Sequence, residues 1–252
     1  MFEKLNWEPD RMLLDDLVFR LEHSANGNWD LGDNCFRFYK TKGLIEQYKK
    51  YWSLINDFVP KNVFELGVWD GGSAAFWFEH LHPDKHVAID LQSRENSAYF
   101  QRYVISRGLA QRIKIYWGVN QADGQSIKDI VKTEFSGPLD LIIDDASHLY
   151  IPTKASFEIL FPLLRPKGIY IIEDWAWAHW QGLQIGSGDD ELTNLVCELV
   201  EATGSSTELI ASLIIFQGFI VVERGTIDLK SDTFKISNHI YRHSRSNSSK
   251  DY

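Results

Sequence analysis

Residues 139–180 read LDLIIDDASHLYIPTKASFEILFPLLRPKGIYIIEDWAWAHW, and their pattern decides the fold. Two apolar runs, LDLII and GIYII, each have the length of a buried strand. Each ends in a pair of acids, Asp144–Asp145 and Glu173–Asp174. Between them, residues 153–164 have helix length and are closed by Pro166 and Gly168. Strand, helix, strand is the pattern of a β-α-β unit in a parallel sheet. Such sheets bind ligands just beyond the carboxyl ends of their strands. The acid pairs and His148 therefore fall where a parallel sheet keeps its chemistry.

The alternation extends outward from there. Strands are predicted at 62–66, 86–90 and 113–117, with a glycine turn at 67–73. Helices are predicted at 74–81, 95–107 and 126–133. Downstream, Leu192, Leu195, Val196, Leu199 and Val200 share one side of a helix over 189–202. Residues 209–216 and 219–223 read as an antiparallel pair joined at Gln217–Gly218. Five βα units followed by a hairpin predict an α/β fold, a doubly wound and mostly parallel sheet with an antiparallel last strand. Upstream, Leu13, Leu14, Leu17, Val18 and Leu21 predict an amphipathic helix over 9–23. Residues 26–33 are rich in turn formers, and 43–58 predict a second helix ending before Pro60. Residues 1–60 thus form an expected N-terminal helical addition, a cap or dimerisation segment. Residues 61–242 form the main domain and 243–252 a polar tail expected to be disordered. A homo-oligomer is the expected assembly.

Composition narrows the function. A chain of 252 residues with 44% hydrophobic residues can bury a sizeable core. Its formal charge of −9 argues against nucleic acid, whose affinity depends on Lys and Arg neutralising phosphates. Two cysteines, Cys35 and Cys197, fit a reducing compartment and suggest neither a disulfide scaffold nor a thiolate zinc site. The first residues carry acids and lack an apolar core of signal-peptide length, and residues 209–222 are too interrupted to span a membrane. A cytoplasmic protein with no membrane partner is expected.

Three groups of residues carry candidate chemistry. The turn Glu65–Ser73, ELGVWDGGS, leaves a strand and enters a helix. Glycines there let backbone approach a ligand, and the helix N-terminus offers free N–H groups. Asp90, at the next strand end, can accept bonds from both hydroxyls of a ribose. The turn also reads as no more than a tight strand-to-helix connection. It is not followed by Gly-Lys-Ser/Thr, which excludes a triphosphate loop. The loop GVNQAD, with Gln121, lies beside the expected base pocket, where its polar residues either bind adenine or are solvated. Asp144 and Asp145 point to opposite faces because strand side chains alternate. With His148, Glu173 and Asp174 they form an oxygen-rich set suited to Mg²⁺, Mn²⁺ or Ca²⁺. The bland alternative is a helix N-cap for Asp145 or Asp174 and a hydrogen-bonded loop position for His148. Trp175, Trp177, His179 and Trp180 follow, as stacking surfaces or as loop packing.

ELGVWDGGS, AIDLQ, GVNQAD, IIDDASH and FPLLRPKGIYIIEDW together resemble the metal-dependent class I methyltransferases of the macrocin and mycinamicin sugar O-methyltransferase group. Cephalosporin-hydroxylase-like proteins are relatives of that group, and an antiparallel last strand is common in the class. The resemblance covers about residues 64–180 and implies a function: S-adenosyl-L-methionine (SAM) methylates a hydroxyl of a sugar or glycosylated natural product. It implies that Asp145, Glu173 and Asp174 hold Mg²⁺ or Mn²⁺ and that His148 is the general base. Glu65, Gly67, Ser73, Asp90, Gln121 and Asp144 would line the SAM pocket. Trp69 departs from the group, since the common glycine motif has glycine there. Three competing readings remain at this level: an NAD-dependent oxidoreductase, which needs a GxGxxG turn this chain does not spell; a non-catalytic SAM- or metal-binding protein; and a hydroxylase, for which the sequence shows no clear two-His-one-carboxylate iron site.

Overall fold

A computed structural model describes residues 2, 4–22, 34–55, 57–180 and 191–241. The predicted loop at 26–33 and the tail at 243–252 lie outside the described residues. The main sheet has seven strands. In chain order they are β5 (Asn62–Leu66), β6 (Lys85–Asp90), β7 (Ile113–Trp117), β8 (Leu139–Asp144), β9 (Leu164–Glu173), β10 (Ile210–Ile215) and β11 (Phe219–Arg224). Across the sheet the order is β10-β11-β9-β8-β5-β6-β7. Strands β5 to β9 run parallel to one another, whereas β11 is antiparallel to both β9 and β10. The order reverses beside β5: the chain first builds β6 and β7 on one side, then returns to place β8 on the other. That switch point is where an open α/β sheet leaves a crevice.

Strand alternation sorts the core into two layers. Val63, Leu141, Ile143, Ile169 and Ile171 face one layer, with α1 (Lys42–Leu54), α2 (Gly72–Leu81) and α3 (Ala98–Ser106). Phe64, Leu66, Ile142, Tyr170 and Ile172 face the other, with α4 (Gly124–Glu134), α5 (Tyr150–Leu160) and α6 (Thr193–Ser205). Helix α5 starts three residues before the predicted 153 and carries Pro152 in its first turn, where the missing N–H has no helical partner to lose. None of the helices in the described residues is long and apolar enough to cross a membrane.

The N-terminal addition differs from expectation. Residues 9–22 do not form a helix, and His23 lies outside the described residues. Strands β2 (Arg11–Leu14) and β3 (Leu17–Leu21) make a hairpin within a four-stranded sheet, flanked by β1 (Leu5–Trp7) and β4 (Phe36–Phe38). Leu14 pairs with Leu17 and Met12 with Phe19 across a two-residue turn at Asp15–Asp16. Asp15 has φ 51°, a left-handed conformation that aspartate tolerates better than most residues. Met12, Leu14, Leu17 and Phe19 are buried, so a two-residue period sets the inward face. The leucines that suggested a helix serve both periods; Met12 and Phe19 break the tie. Only α1 of the predicted helices exists here, with Thr41 as its N-cap accepting from the Leu44 N–H. The small sheet packs on α2, with the Phe38 and Phe76 rings 5.0 Å apart. Fully burying one phenylalanine contributes roughly 1.5–3 kcal/mol. The addition is thus welded to the main core.

Candidate active site

A cavity of about 1140 Å³ opens at the carboxyl ends of β5, β6, β8 and β9, at the switch point. Its first wall is the glycine turn. Gly67 has φ 80°, and a Cβ there would lie 2.2 Å from the carbonyl oxygen of Asp145. Glycine is required both by the backbone and by this contact, which brings the ends of β5 and β8 together. Gly67→Ala is expected to destabilise the protein by roughly 2–4 kcal/mol, through overpacking against backbone and a left-handed alanine. Chemical denaturation measures this; an unchanged midpoint would show that the two strand ends can part freely.

Asp90 organises this turn. Its Oδ2 accepts from the N–H groups of Val68 (3.0 Å) and Trp69 (2.9 Å), and its Oδ1 accepts from Gln92 (2.8 Å). Trp69, the departure from the glycine pattern, has φ 55°, and its bond to Asp90 offsets the strain. Oδ1 keeps room for one further donor. Ser73, in the first turn of α2, lines the same wall, and its buried Oγ has no hydrogen-bond partner among the described residues. A close-approach glycine, an acceptor carboxylate and an orphan hydroxyl fit a nucleoside cofactor with a polar tail.

The six residues expected in the cofactor pocket divide. Gly67, Ser73, Asp90 and Gln121 line the cavity. Glu65 and Asp144 are not among the lining residues. Both lie within their strands, so their side chains enter the layers beside the sheet instead of the space beyond its edge. Glu65 is fully buried against His86, 2.9 Å away. Asp144 accepts from Ser156 Oγ (2.6 Å) and Tyr170 Oη (3.0 Å). Gln121 lines the wall, but its amide braces loops: Oε1 accepts from the Ser147 N–H, and Nε2 donates to Ser156 Oγ.

Burial pushes Asp144 up to about 6, against the pull of its two hydroxyl donors. The folded state therefore holds this proton more tightly than the unfolded one. Its contribution is complete below about pH 4 and is lost as the pH rises through about 6. Asp144→Asn keeps an acceptor and removes the charge, so it should gain on the wild type by roughly 2–3 kcal/mol between pH 4 and 8. Paired melting curves across that range test this; a constant difference would place the titration elsewhere.

The second wall carries the acids. Asp145, His148 and Asp174 bring ligand atoms within 4.8 Å of one another. His148 Nε2 is 3.9 Å from Asp145 Oδ1. The backbone of His148 is left-handed (φ 55°), and its carbonyl accepts from Trp177 Nε1 at 2.6 Å. Asp174 is also left-handed (φ 53°), and its N–H donates to the Gly218 carbonyl at 2.7 Å. Two carboxylates and an imidazole facing one cavity, with no thiol in the cluster, suit an oxygen-preferring divalent ion.

Glu173, the third acid of the expected set, lines the same cavity and is already hydrogen-bonded within the protein. It is buried, and both its oxygens accept from Lys40 Nζ, at 2.6 and 2.7 Å; Tyr48 Oη adds a third bond at 2.8 Å. Lys40 also donates to Asp145 Oδ2 at 3.0 Å. Burial alone would lower the Lys40 ammonium, but Asp145 and Glu173 hold it above its ordinary value. Burial and the Asp145 charge push Glu173 up, and Lys40 pulls it down. Sequence reasoning missed Lys40 and Tyr48, because a lone lysine before a helix and a tyrosine on its apolar side carry no chemical signature. Of the aromatic residues after β9, Trp180 lines the cavity, while Trp175 and Trp177 anchor loops through their indole N–H groups. His179 bonds Thr193 instead of joining the acids.

Residues 64–175 match a methyltransferase domain family model. The chain is 31% identical to demethylmacrocin O-methyltransferase of Streptomyces fradiae over 53% of its own length and 32% of that protein's. It is 30% identical to mycinamicin VI 2''-O-methyltransferase of Micromonospora griseorubida over 73% of this chain and 43% of that one. It therefore spans less than half the length of these curated relatives. Among solved structures, the mycinamycin-pathway methyltransferase MycE, in complex with Mg, S-adenosylhomocysteine (SAH) and mycinamycin VI, superposes with a TM-score of 0.54. It is 27% identical, covering 71% of this chain and 49% of that one. A putative caffeoyl-CoA O-methyltransferase from Staphylococcus aureus shares the fold at 16% identity and a TM-score of 0.52, over 74% and 85% of the two chains. The fold, the switch-point cavity and the family match over residues 64–175 are similar to those of class I methyltransferase domains. Within that class, the chain resembles the macrocin and mycinamicin sugar O-methyltransferase group.

Proposed function

We propose that this protein is a SAM-dependent O-methyltransferase that modifies a hydroxyl of a sugar or glycosylated small molecule with the help of Mg²⁺ or Mn²⁺. The observation that carries the reading is one cavity with two walls: an orphan hydroxyl and glycine turn on one, and Asp145, His148 and Asp174 on the other. Relatives named as sugar O-methyltransferases support the acceptor class.

When bound, SAM would supply an electrophilic methyl group, and a divalent ion would lower the pKa of an acceptor oxygen and fix its position. The chain's residues do the rest. The turn from Gly67 to Ser73, braced by Asp90, holds the cofactor end. Asp145 and Asp174 would hold the ion. His148 Nε2, beside Asp145, takes the proton from the acceptor hydroxyl as it attacks, because an imidazole accepts a proton near neutral pH. Trp180 and Tyr39 bound the cavity and offer flat faces to a sugar's C–H surface. Residues 1–60 act as a cap that completes the cavity, and cytoplasmic location and self-association belong to the same proposal. Incubation with SAM, Mg²⁺ and a panel of glycosides and catechols, read by mass spectrometry, tests the reading. A product heavier by one methyl group on a glycoside is expected; methylation of catechols alone would overturn the acceptor class.

A further inference from the structure

Trp69 keeps a left-handed backbone, with φ 55°, in the middle of the glycine turn. A residue with a β-carbon is strained there, and a bulky one more than most. We propose that Arg94 holds Trp69 in this conformation, as a positioning residue for the cofactor that acts through the tryptophan ring. The inference rests on the cofactor reading above.

Geometry is the first ground. The Arg94 guanidinium carbon lies 5.4 Å from the centre of the Trp69 ring and 5.0 Å from that of Trp117. Both distances are within the range of cation–π attraction, so one cation ties two indoles together. The second indole is itself fixed. Trp117 Nε1 donates to Asn96 Oδ1 at 2.9 Å, and Trp117 pairs with Asp90 across β7 and β6. The loop that carries Arg94 is anchored as well. The Gly118 N–H donates to the Gln92 carbonyl and the Val119 N–H to the Asp90 carbonyl, each at 3.0 Å.

The bonding of Arg94 is the second ground. Its Nε is buried and has no hydrogen-bond partner among the described residues. An arginine that serves an ion pair aims its donors at a carboxylate, whereas this one is packed between aromatic rings. Its charge still reaches the turn. Burial raises the Asp70 carboxyl, and backbone N–H bonds with the charges of Arg37 and Arg94 pull it back.

The consequence falls on Asp90. Its Oδ2 accepts from the N–H groups of Val68 and Trp69, an arrangement set by the backbone of this turn. If Trp69 relaxed, Asp90 would lose a donor and the cofactor wall would shift against it. Backbone strain persists only where the surroundings over-determine it. Here Asp90 holds the backbone of Trp69 and Arg94 holds its ring. Glycine adopts positive φ freely and would need no such clamp. Arg94 should therefore matter to the cofactor only while residue 69 has a side chain.

The test is SAH titration by calorimetry on the 252-residue chain, arranged as a double-mutant cycle. Four proteins are compared: wild type, Arg94→Met, Trp69→Gly and the two changes together. Methionine keeps a long flexible chain beside the rings and removes the cation. Arg94→Met alone is expected to weaken SAH binding about tenfold, within reach of two lost cation–π contacts. In the Trp69→Gly background the same change should cost less than about threefold, because glycine holds the turn unaided. Should Arg94→Met not fold, Arg94→Gln takes its place with a polar head and no charge, and is read in the same way. Equal losses in both backgrounds would overturn the proposal, making Arg94 a residue that acts without Trp69. Unchanged SAH affinity in Arg94→Met would overturn it too. Wild type that binds no SAH would overturn the cofactor reading itself, and this inference with it.

Discussion

Replacing His148 by alanine is expected to lower the maximal rate of methyl transfer by roughly a hundred- to ten-thousandfold, the usual contribution of a positioned base. The effect should fall on kcat and leave SAM affinity nearly unchanged, because the base acts mainly in the transition state. The structure makes the substitution a clean one. The His148 loop is held through its backbone carbonyl by Trp177, and the imidazole itself is half-buried at the cavity wall. Alanine therefore removes the imidazole without removing the anchor, at the modest cost of a left-handed alanine. Single-turnover kinetics with Mn²⁺ calorimetry on the same protein separates the outcomes. Near-normal turnover would reduce His148 to a loop residue. Lost metal affinity would make it a ligand, and the base would have to be sought elsewhere. His179 is poorly placed for that role, since its ring bonds Thr193.

How much of this was legible before the fold was known differs sharply between residues. The β8–α5–β9 unit was readable because burial on both faces writes unbroken apolar runs, and the acids at their ends mark where the sheet stops. The opposed faces of Asp144 and Asp145 followed from strand alternation alone, and the structure sends Asp144 to the α5 side and Asp145 to the cavity. Alternation could not say how far beyond the sheet edge each side chain reaches. Within the fold, Glu65 bonds His86, and Asp144 bonds Ser156 and Tyr170. The β2–β3 hairpin was hidden because Leu13, Leu14, Leu17, Val18 and Leu21 satisfy a helical period as well as a strand period. The deciding contact, the small sheet against α2, is a tertiary one. Lys40 was beyond reach for a related reason. Its partner Glu173 lies 133 positions away, and only the closed fold brings the two together.

Asp174→Asn tests the other half of the chemistry and should be nearly as damaging as loss of the base. Asp174 directly follows β9 in a left-handed conformation, with its N–H bonded to the Gly218 carbonyl. Asparagine adopts that backbone about as readily as aspartate, so the strand end should keep its shape. What changes is charge: the cluster loses one of the carboxylates that line the cavity. Stabilisation of a developing oxyanion by a bound metal is worth several kcal/mol, so turnover should fall by about a thousandfold, equivalent to about 4 kcal/mol. SAH affinity should persist, because Gly67, Ser73 and Asp90 lie on the opposite wall and share no hydrogen bond with Asp174 among those described. Raising Mn²⁺ should restore part of the rate, since a weakened site refills by mass action. Chelation of the wild type should reproduce the loss and added Mg²⁺ reverse it. Full turnover in both the variant and the exhaustively chelated wild type would remove the metal from the mechanism. The acids would then act as fixed charges around His148, with Lys40 bonded to Asp145 and Glu173.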